Sequence, residues 1–132
     1  MFENIAREVK VIKKRKALVV DDSEIAREIV STALREIGFE TVHASDGFEA
    51  IEKILSEDIS LFVIDINMPK MDGLTLVRKL RKTSKYLNTP IIIFSTEADK
   101  KDIEMGLQAG ANLYLTKPMG PKALIENFKR FA

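Results

Sequence analysis

ALVVDDS, residues 17–23, is the stretch that decides the fold. Four apolar residues run together and end in two aspartates, which predicts a buried strand over residues 17–21 with carboxylates at its carboxyl end. Ser23 suits the N-cap of a following helix, and Gly38 stands where a glycine commonly ends one. A buried strand followed at once by an amphipathic helix is typical of α/β proteins.

The same alternation of strand and helix recurs along the chain. Further strands are predicted over residues 39–44, 60–65, 90–95 and 112–116. The predicted helices carry apolar residues at intervals of three and four. These residues are Ile25, Ile29, Ala33 and Ile37 in the first helix, Phe48, Ile51 and Leu55 in the second, Leu74, Val77 and Leu80 in the third, and Leu124, Phe128 and Phe131 in the last, which follows Pro121. The fourth helix is predicted over residues 99–109. Five such units predict a parallel sheet covered on both faces, with right-handed crossovers.

The composition bounds the class of protein. At 132 residues the chain has the length of one ordinary domain, and it contains no cysteine. Disulfide scaffolds, zinc–thiolate sites and cysteine nucleophiles are therefore excluded, which suits a cytoplasmic location. The longest apolar runs are four residues, for example residues 61–64, so no segment of the sequence can span a membrane.

The charges are distributed unevenly. Residues 1–16 carry a net charge of +4, whereas residues 17–132 carry a net charge of −3. The sequence thus predicts a basic N-terminal extension over residues 1–16 and one domain over residues 17–132, whose acidic balance argues against direct binding of nucleic acid. Phe2, Ile5, Val9 and Ile12 recur at helical spacing, so a short amphipathic helix can form here. The extension is either a solvated linker or a segment for docking or self-association.

Polar residues follow the predicted strands where each strand ends. Asp21 and Asp22 follow the first strand, Asp65 the third, Ser95 the fourth and Lys117 the fifth. If the first strand lies between the second and third, these groups meet in one crevice at the sheet edge. Two carboxylates about 4 Å apart repel by roughly 4 kcal/mol at an effective dielectric constant near 20. A bound divalent cation would remove that repulsion, and the hard oxygen donors favour Mg²⁺, with Mn²⁺ possible. This set suits phosphoryl chemistry with an aspartate nucleophile.

Four motifs in order make the sequence resemble a known family. They are LVVDDS at residues 18–23, VIDINMPKMDG at 63–73, IIIFSTEA at 91–98 and LYLTKP at 113–118. Over about residues 17–131 the chain resembles the CheY-like receiver domains of two-component response regulators. The resemblance implies a flavodoxin-like, doubly wound sheet of five parallel strands in the order 2-1-3-4-5, with five helices.

The resemblance also implies the function of a signalling switch. A sensor histidine kinase or phosphotransfer protein would donate a phosphoryl group from a phosphohistidine. The phosphorylated domain would then change the surface near the fifth strand and the fourth and fifth helices, where a downstream protein binds. Such a protein is not an enzyme for other substrates, because it catalyses only its own phosphorylation and dephosphorylation.

The roles of the acidic residues and the lysine follow from the resemblance. Asp65 corresponds to the phosphoacceptor and Asp22 to the direct acidic ligand of the metal, with Asp21 acting mainly through metal-bound water. The backbone carbonyl of Asn67 completes the metal site. Lys117, in a bond to proline that is usually cis in the family, corresponds to the lysine that contacts the phosphoryl group.

The resemblance assigns the remaining residues to switching and to the rate of phosphoryl loss. Ser95 corresponds to the switch hydroxyl and Tyr114 to the switch aromatic that turns inward on activation. Asn67 and Glu97 match residues of fast-cycling regulators. Thr96 departs from the smaller side chain usual at its position, and we expect its branched side chain to narrow the path of the attacking water.

Three alternatives stay open at this point. The chain could be a receiver excised from a longer response regulator or hybrid kinase, or a receiver used only as a scaffold. A haloacid-dehalogenase-type phosphatase also uses an aspartate nucleophile, but it needs a general-acid aspartate two residues later. Asn67 occupies that position here and cannot donate a proton in that way.

Overall fold

The computed structural model describes residues 14–132 and contains one parallel sheet of five strands. The strands are β1 (Lys16–Val20), β2 (Glu40–Ala44), β3 (Leu61–Ile64), β4 (Ile91–Ser95) and β5 (Leu113–Thr116). The helices are α1 (Glu24–Glu36), α2 (Gly47–Ser56), α3 (Gly73–Arg81), α4 (Lys100–Ala109) and α5 (Pro121–Phe128), with short 3-10 turns at Ser84–Tyr86 and Lys129–Phe131. The predicted alternation is confirmed, and each strand end lies within one residue of the expected position.

The strand order is β2-β1-β3-β4-β5, and every neighbouring pair is parallel. The doubly wound order implied by the family resemblance is therefore confirmed. In the register, Val20 of β1 lies beside Ala44 of β2 and Ile64 of β3. The residues that follow β1 and β3, Asp21 and Asp65, consequently leave the sheet at the same level.

Both faces of the sheet are buried, as the continuous apolar strands predict. One face packs against α2, α3 and α4 through side chains that include Leu18, Phe62 and Ile93. The other face packs against α1 and α5, with Val63 and Phe94 of the sheet meeting Phe128. The helices on the two faces hold the strands in place, and the position at which each strand ends places the polar residue that follows it.

Two helices present a different face to the core than their spacing suggests. Ile25 and Ile29 of α1 are 75% and 43% exposed, whereas Val30, Ala33 and Leu34 are buried. On α2, Phe48 and Leu55 are exposed, and Ala50 is buried. Both helices carry more apolar residues than one face can bury. The part of the sheet against which each helix packs therefore decides which of these residues are buried.

The N-terminal part of the chain is described from Lys14 onward, and the hydrophobic pattern of residues 2–12 lies outside the described residues. Lys16, assigned to the extension by the sequence, is the first residue of β1 and forms an ion pair with Glu57. Arg15 stacks on the Phe39 ring at 4.9 Å. Within residues 14–132, every helix is too short or too polar to cross a lipid bilayer.

Candidate functional site

Three carboxylates meet at the carboxyl edge of the sheet. Asp21 and Asp22 follow β1 and Asp65 follows β3, and one oxygen from each lies within 4.8 Å of the others. Asp21 and Asp65 are buried, at 4% and 7% exposure, whereas Asp22 is exposed. The cluster forms because β1 and β3 are adjacent, parallel and in register at their ends.

Asp21 is held by hydrogen bonds at both side-chain oxygens and at its carbonyl. Its Oδ1 accepts from the Ser23 amide at 2.9 Å, and its Oδ2 accepts from Lys117 Nζ at 2.7 Å. The guanidinium of Arg27 donates to its backbone carbonyl. Arg27 could not be singled out from the sequence, because no local pattern indicates that the guanidinium of a helix arginine turns back to the preceding strand.

Lys117 brings a positive charge into the cluster from the end of β5. Besides its ion pair with Asp21, its Nζ lies 3.7 Å from Asp65 Oδ2 and 5.6 Å above the Phe94 ring. The bond from Lys117 to Pro118 is cis, as the family resemblance implies. The ammonium group therefore stands between the two buried carboxylates.

The carboxyl group of Asp65 binds a proton more readily than an ordinary aspartate does. Burial raises the pKa of its carboxyl group to about 6, and the negative charge of Asp21 adds to the effect, while Lys117 opposes it. Removal from water and repulsion by Asp21 both disfavour the charged form of the Asp65 carboxyl group, and a cation bound beside it would relieve that cost. The donors are all hard carboxylate oxygens, so the cluster fits a divalent cation such as Mg²⁺ or Mn²⁺.

The loop between β3 and α3 is shaped around Asp65 by a glycine. A Cβ atom at Gly73 would lie 2.1 Å from the carbonyl oxygen of Asp65, so only glycine fits this position. The Gly73 amide donates to the carbonyl of Ile66 at 2.9 Å, and Asp72 caps α3 by accepting from the Thr75 amide. An Asp-Gly pair is typical of a turn in any sequence, but it does not indicate such a close approach.

Glu97 connects the other predicted residues to one another. Its amide donates to Ser95 Oγ at 3.1 Å, and its side chain accepts from Asn67 Nδ2 at 2.8 Å. Tyr114 Oη donates to the backbone carbonyl of Glu97 at 2.6 Å, and the Tyr114 ring is turned inward against the core. Ser95 is fully buried, whereas the neighbouring Thr96 is exposed. The structure thus brings every residue predicted for the site to the same edge of the sheet.

Comparison with known proteins agrees with this geometry. The sequence matches the response regulator receiver domain family over residues 17–129. It is 41% identical over 116 residues to the chemotaxis protein CheY1 of Helicobacter pylori, covering 86% of this chain and 94% of that protein. It is also 43% identical over 113 residues to the probable transcriptional regulator ycf27 of Cyanophora paradoxa, covering 86% of this chain and 46% of that protein.

The solved structures lead to the same family. The chemotaxis response regulator CheY4 of Vibrio cholerae superposes with a TM-score of 0.84 at 35% identity, covering 91% of this chain and 100% of that one. The family match, the sequence identities and the superposition all agree with the presence of the acidic cluster at this edge of the sheet. The chain belongs to the family of CheY-like response regulator receiver domains.

Proposed function

We propose that this protein is a phosphorylation-dependent switch of a two-component system, with Asp65 as the phosphoacceptor. The observation that carries the proposal is the position of Asp65, buried between Asp21 and Lys117 at the carboxyl edge of the sheet. A nucleophilic carboxylate needs nearby positive charge to stabilise the phosphoryl oxygens, and Lys117 lies within reach.

The proposed reaction transfers a phosphoryl group from a phosphohistidine. An oxygen of Asp65 attacks phosphorus, the phosphorus–nitrogen bond breaks, and its electron pair returns to the imidazole of the donor. Lys117 then pairs with a phosphoryl oxygen and the hydroxyl of Ser95 donates to another. Asp21, Asp22, Asp65 and the carbonyl of Asn67 would hold Mg²⁺, whose charge stabilises the phosphoryl oxygens.

The decisive experiment maps the phosphorylated residue. Incubation with acetyl phosphate and Mg²⁺, followed by trapping of the acyl phosphate and peptide mass spectrometry, should place a single modification on Asp65. Addition of EDTA should suppress the modification. Recovery of the label on another aspartate, or no label at all, would contradict the proposed function.

The partners are proposed from the surfaces around the site. The exposed Ile29 borders a cavity of about 200 Å³ that is also lined by Lys117, Pro118 and Met119. A kinase or phosphotransfer protein must bring its histidine to this edge, and the apolar patch offers it a contact surface. The downstream protein would bind the surface of α4, β5 and α5. The cytoplasmic location and the absence of direct nucleic-acid binding stay predictions.

A second arrangement keeps the same chemistry. The match to ycf27, of which this chain spans about half, supports a receiver that works within a longer regulator. Phosphorylation of Asp65 is expected in both arrangements, and only the output differs. A receiver used purely as a scaffold would instead show no phosphorylation.

The two acidic residues after β1 should differ in their effect on Mg²⁺ binding. Asp22 is exposed, whereas both oxygens of Asp21 already accept hydrogen bonds. We expect Asp22→Asn to weaken Mg²⁺ binding roughly tenfold or more and Asp21→Asn to weaken it less. Titrations followed by amide NMR shifts would measure both, with the exposed Glu24→Gln as a control for net charge. Undiminished binding in Asp22→Asn would refute the ligand assignment.

Thr96 should slow the loss of the phosphoryl group. It is exposed between Ser95 and Glu97, and we propose that its branched side chain narrows the approach of the attacking water. We expect Thr96→Ala to release phosphate several-fold faster than the wild type, because small displacements of a reacting group change rates strongly. Thr96→Val keeps the shape and should keep the rate. A rate in Thr96→Ala equal to or below that of the wild type would show that access is not limiting.

A further inference from the structure

Gly106 occupies an unusual position, in the interior of α4 and buried. Glycine weakens a helix relative to alanine, so its presence there needs a reason. A Cβ atom at this position would lie 2.8 Å from Cδ2 and 3.0 Å from Cε2 of Tyr114, and 2.8 Å from Cδ1 of Ile93. Carbon atoms in contact lie about 3.5–4.0 Å apart. The tyrosine ring therefore fills space that any side chain at position 106 would need.

The ring in this position connects α4 to the phosphorylation site. Tyr114 Oη donates to the Glu97 carbonyl at 2.6 Å, and the Glu97 amide donates to Ser95 Oγ at 3.1 Å. A change at Ser95 thus reaches Tyr114 through one residue. Moving the ring outward would break the bond to Glu97 and uncover Gly106 on α4.

We propose that Gly106 is the positioning residue for Tyr114, and that its missing side chain lets the ring occupy the inward position without a phosphoryl group on Asp65. The link to Asp65 rests on the proposed function, but the positioning of the ring does not. In this chain the inward position is then set by a buried residue of α4, the helix that carries part of the proposed output surface, and a methyl group there would disconnect that surface from Ser95.

A double-mutant cycle in thermal stability tests the positioning. In the wild-type background, Gly106→Ala should lower the melting temperature by about 4 °C or more, because the ring loses its site and its hydrogen bond. In the Tyr114→Ala background the same substitution should raise the melting temperature by about 2–4 °C, since alanine is the better helix former, the ring is gone and the flexible end of the Ile93 side chain can move into the space it leaves. A change of the same sign and size in both backgrounds would overturn the proposal.

Fluorine NMR of protein labelled with 3-fluorotyrosine tests where the ring lies. The chain has two tyrosines, and Tyr86 is buried, so it serves as an internal reference. In Gly106→Ala the Tyr114 resonance should become sensitive to solvent, while in Gly120→Ala, where an added Cβ meets nothing within 4 Å, it should not. A shielded Tyr114 ring in Gly106→Ala would also overturn the proposal.

Beryllofluoride with Mg²⁺, a mimic of the aspartyl phosphate, tests the link to Asp65. It should shift the Tyr114 resonance in the wild type and leave it unchanged in Gly106→Ala. Equal shifts in both proteins, or none in a wild type that is phosphorylated on Asp65, would overturn the link. A wild type without phosphorylation would instead refute the proposed function, and the stability cycle would still decide the position of the ring.

Discussion

The Asp65→Asn protein should accept no phosphoryl group and, without metal, should melt at a higher temperature than the wild type at pH 7. The loss of phosphorylation follows from removing the nucleophilic oxygen at the proposed site. The gain in stability follows from removing one of three clustered negative charges. Because the cluster borders solvent, we expect a gain on the order of 1 kcal/mol, or about 4 °C for a chain of this size.

The gain in stability of Asp65→Asn should depend on pH. Burial and the charge of Asp21 raise the pKa of Asp65 to about 6 in the folded state, above the ordinary aspartate value of 3.8. Between these two values the folded protein binds more protons than the unfolded chain, so its stability falls as the pH rises. The advantage of Asp65→Asn should therefore be small near pH 4 and largest at pH 7.

Melting curves in EDTA from pH 4 to pH 7, with acetyl phosphate labelling in parallel, would check both parts. The exposed Glu104→Gln serves as the matched control and should change neither labelling nor the pH profile. Added Mg²⁺ should raise the melting temperature of the wild type more than that of Asp65→Asn. A labelled Asp65→Asn protein, or an advantage that shrinks toward pH 7, would contradict the assignment.

Arg81→Ala should cause an unusually large loss of stability for a substitution of a charged side chain outside the hydrophobic core. The guanidinium donates to the carbonyls of Gly110, Tyr86 and Thr89 and to the side chain of Asn112, at 2.7–2.9 Å. It thereby fastens the end of α3 to the segments that precede β4 and β5. Bonds from a charged donor contribute about 1.5–3 kcal/mol each, and removal leaves partly buried carbonyls unpaired.

We expect Arg81→Ala to lower the free energy of unfolding by about 3 kcal/mol and the melting temperature by about 10 °C. Arg81→Lys should recover less than half of the loss, because one ammonium group cannot reach the acceptors on both segments. The matched control is Arg78→Ala, which replaces an exposed arginine on the same helix and should change the free energy by less than about 0.5 kcal/mol. Urea unfolding would measure all three, and equal losses for Arg78→Ala and Arg81→Ala would refute the role of the network.

Labelling at 20 °C, below the expected melting temperature, separates stability from function. Arg81 lies at the end of the sheet opposite to the acidic cluster, where its contacts precede β4 and β5 rather than follow them. Folded Arg81→Ala protein should therefore be phosphorylated at a rate close to that of the wild type. A much lower rate would mean that the network also positions the site.

Sequence patterns predicted where the strands and helices lie, but not which residues of α1 and α2 are buried. The predicted strands agree with the structure to within one residue because polar or charged residues follow each of them. The apolar spacing on α1 and α2 predicted helices correctly, yet Ile25, Ile29, Phe48 and Leu55 proved to be exposed. Spacing along a helix shows that a face exists, but the surface it packs against decides which residues are buried.

The sequence alone determined the strands, the helices and the groups that leave the carboxyl ends of the strands, because these features depend on neighbours within a few residues. Only the tertiary structure decided what those groups meet. Lys117 pairs with Asp21, which lies 96 positions earlier in the chain. Arg81 joins α3 to the two segments that precede β4 and β5. Gly106 has no side chain, and the ring of Tyr114 fills the space beside it. Such contacts arise from the order and register of strands and from close packing in three dimensions, which no local pattern of residues encodes.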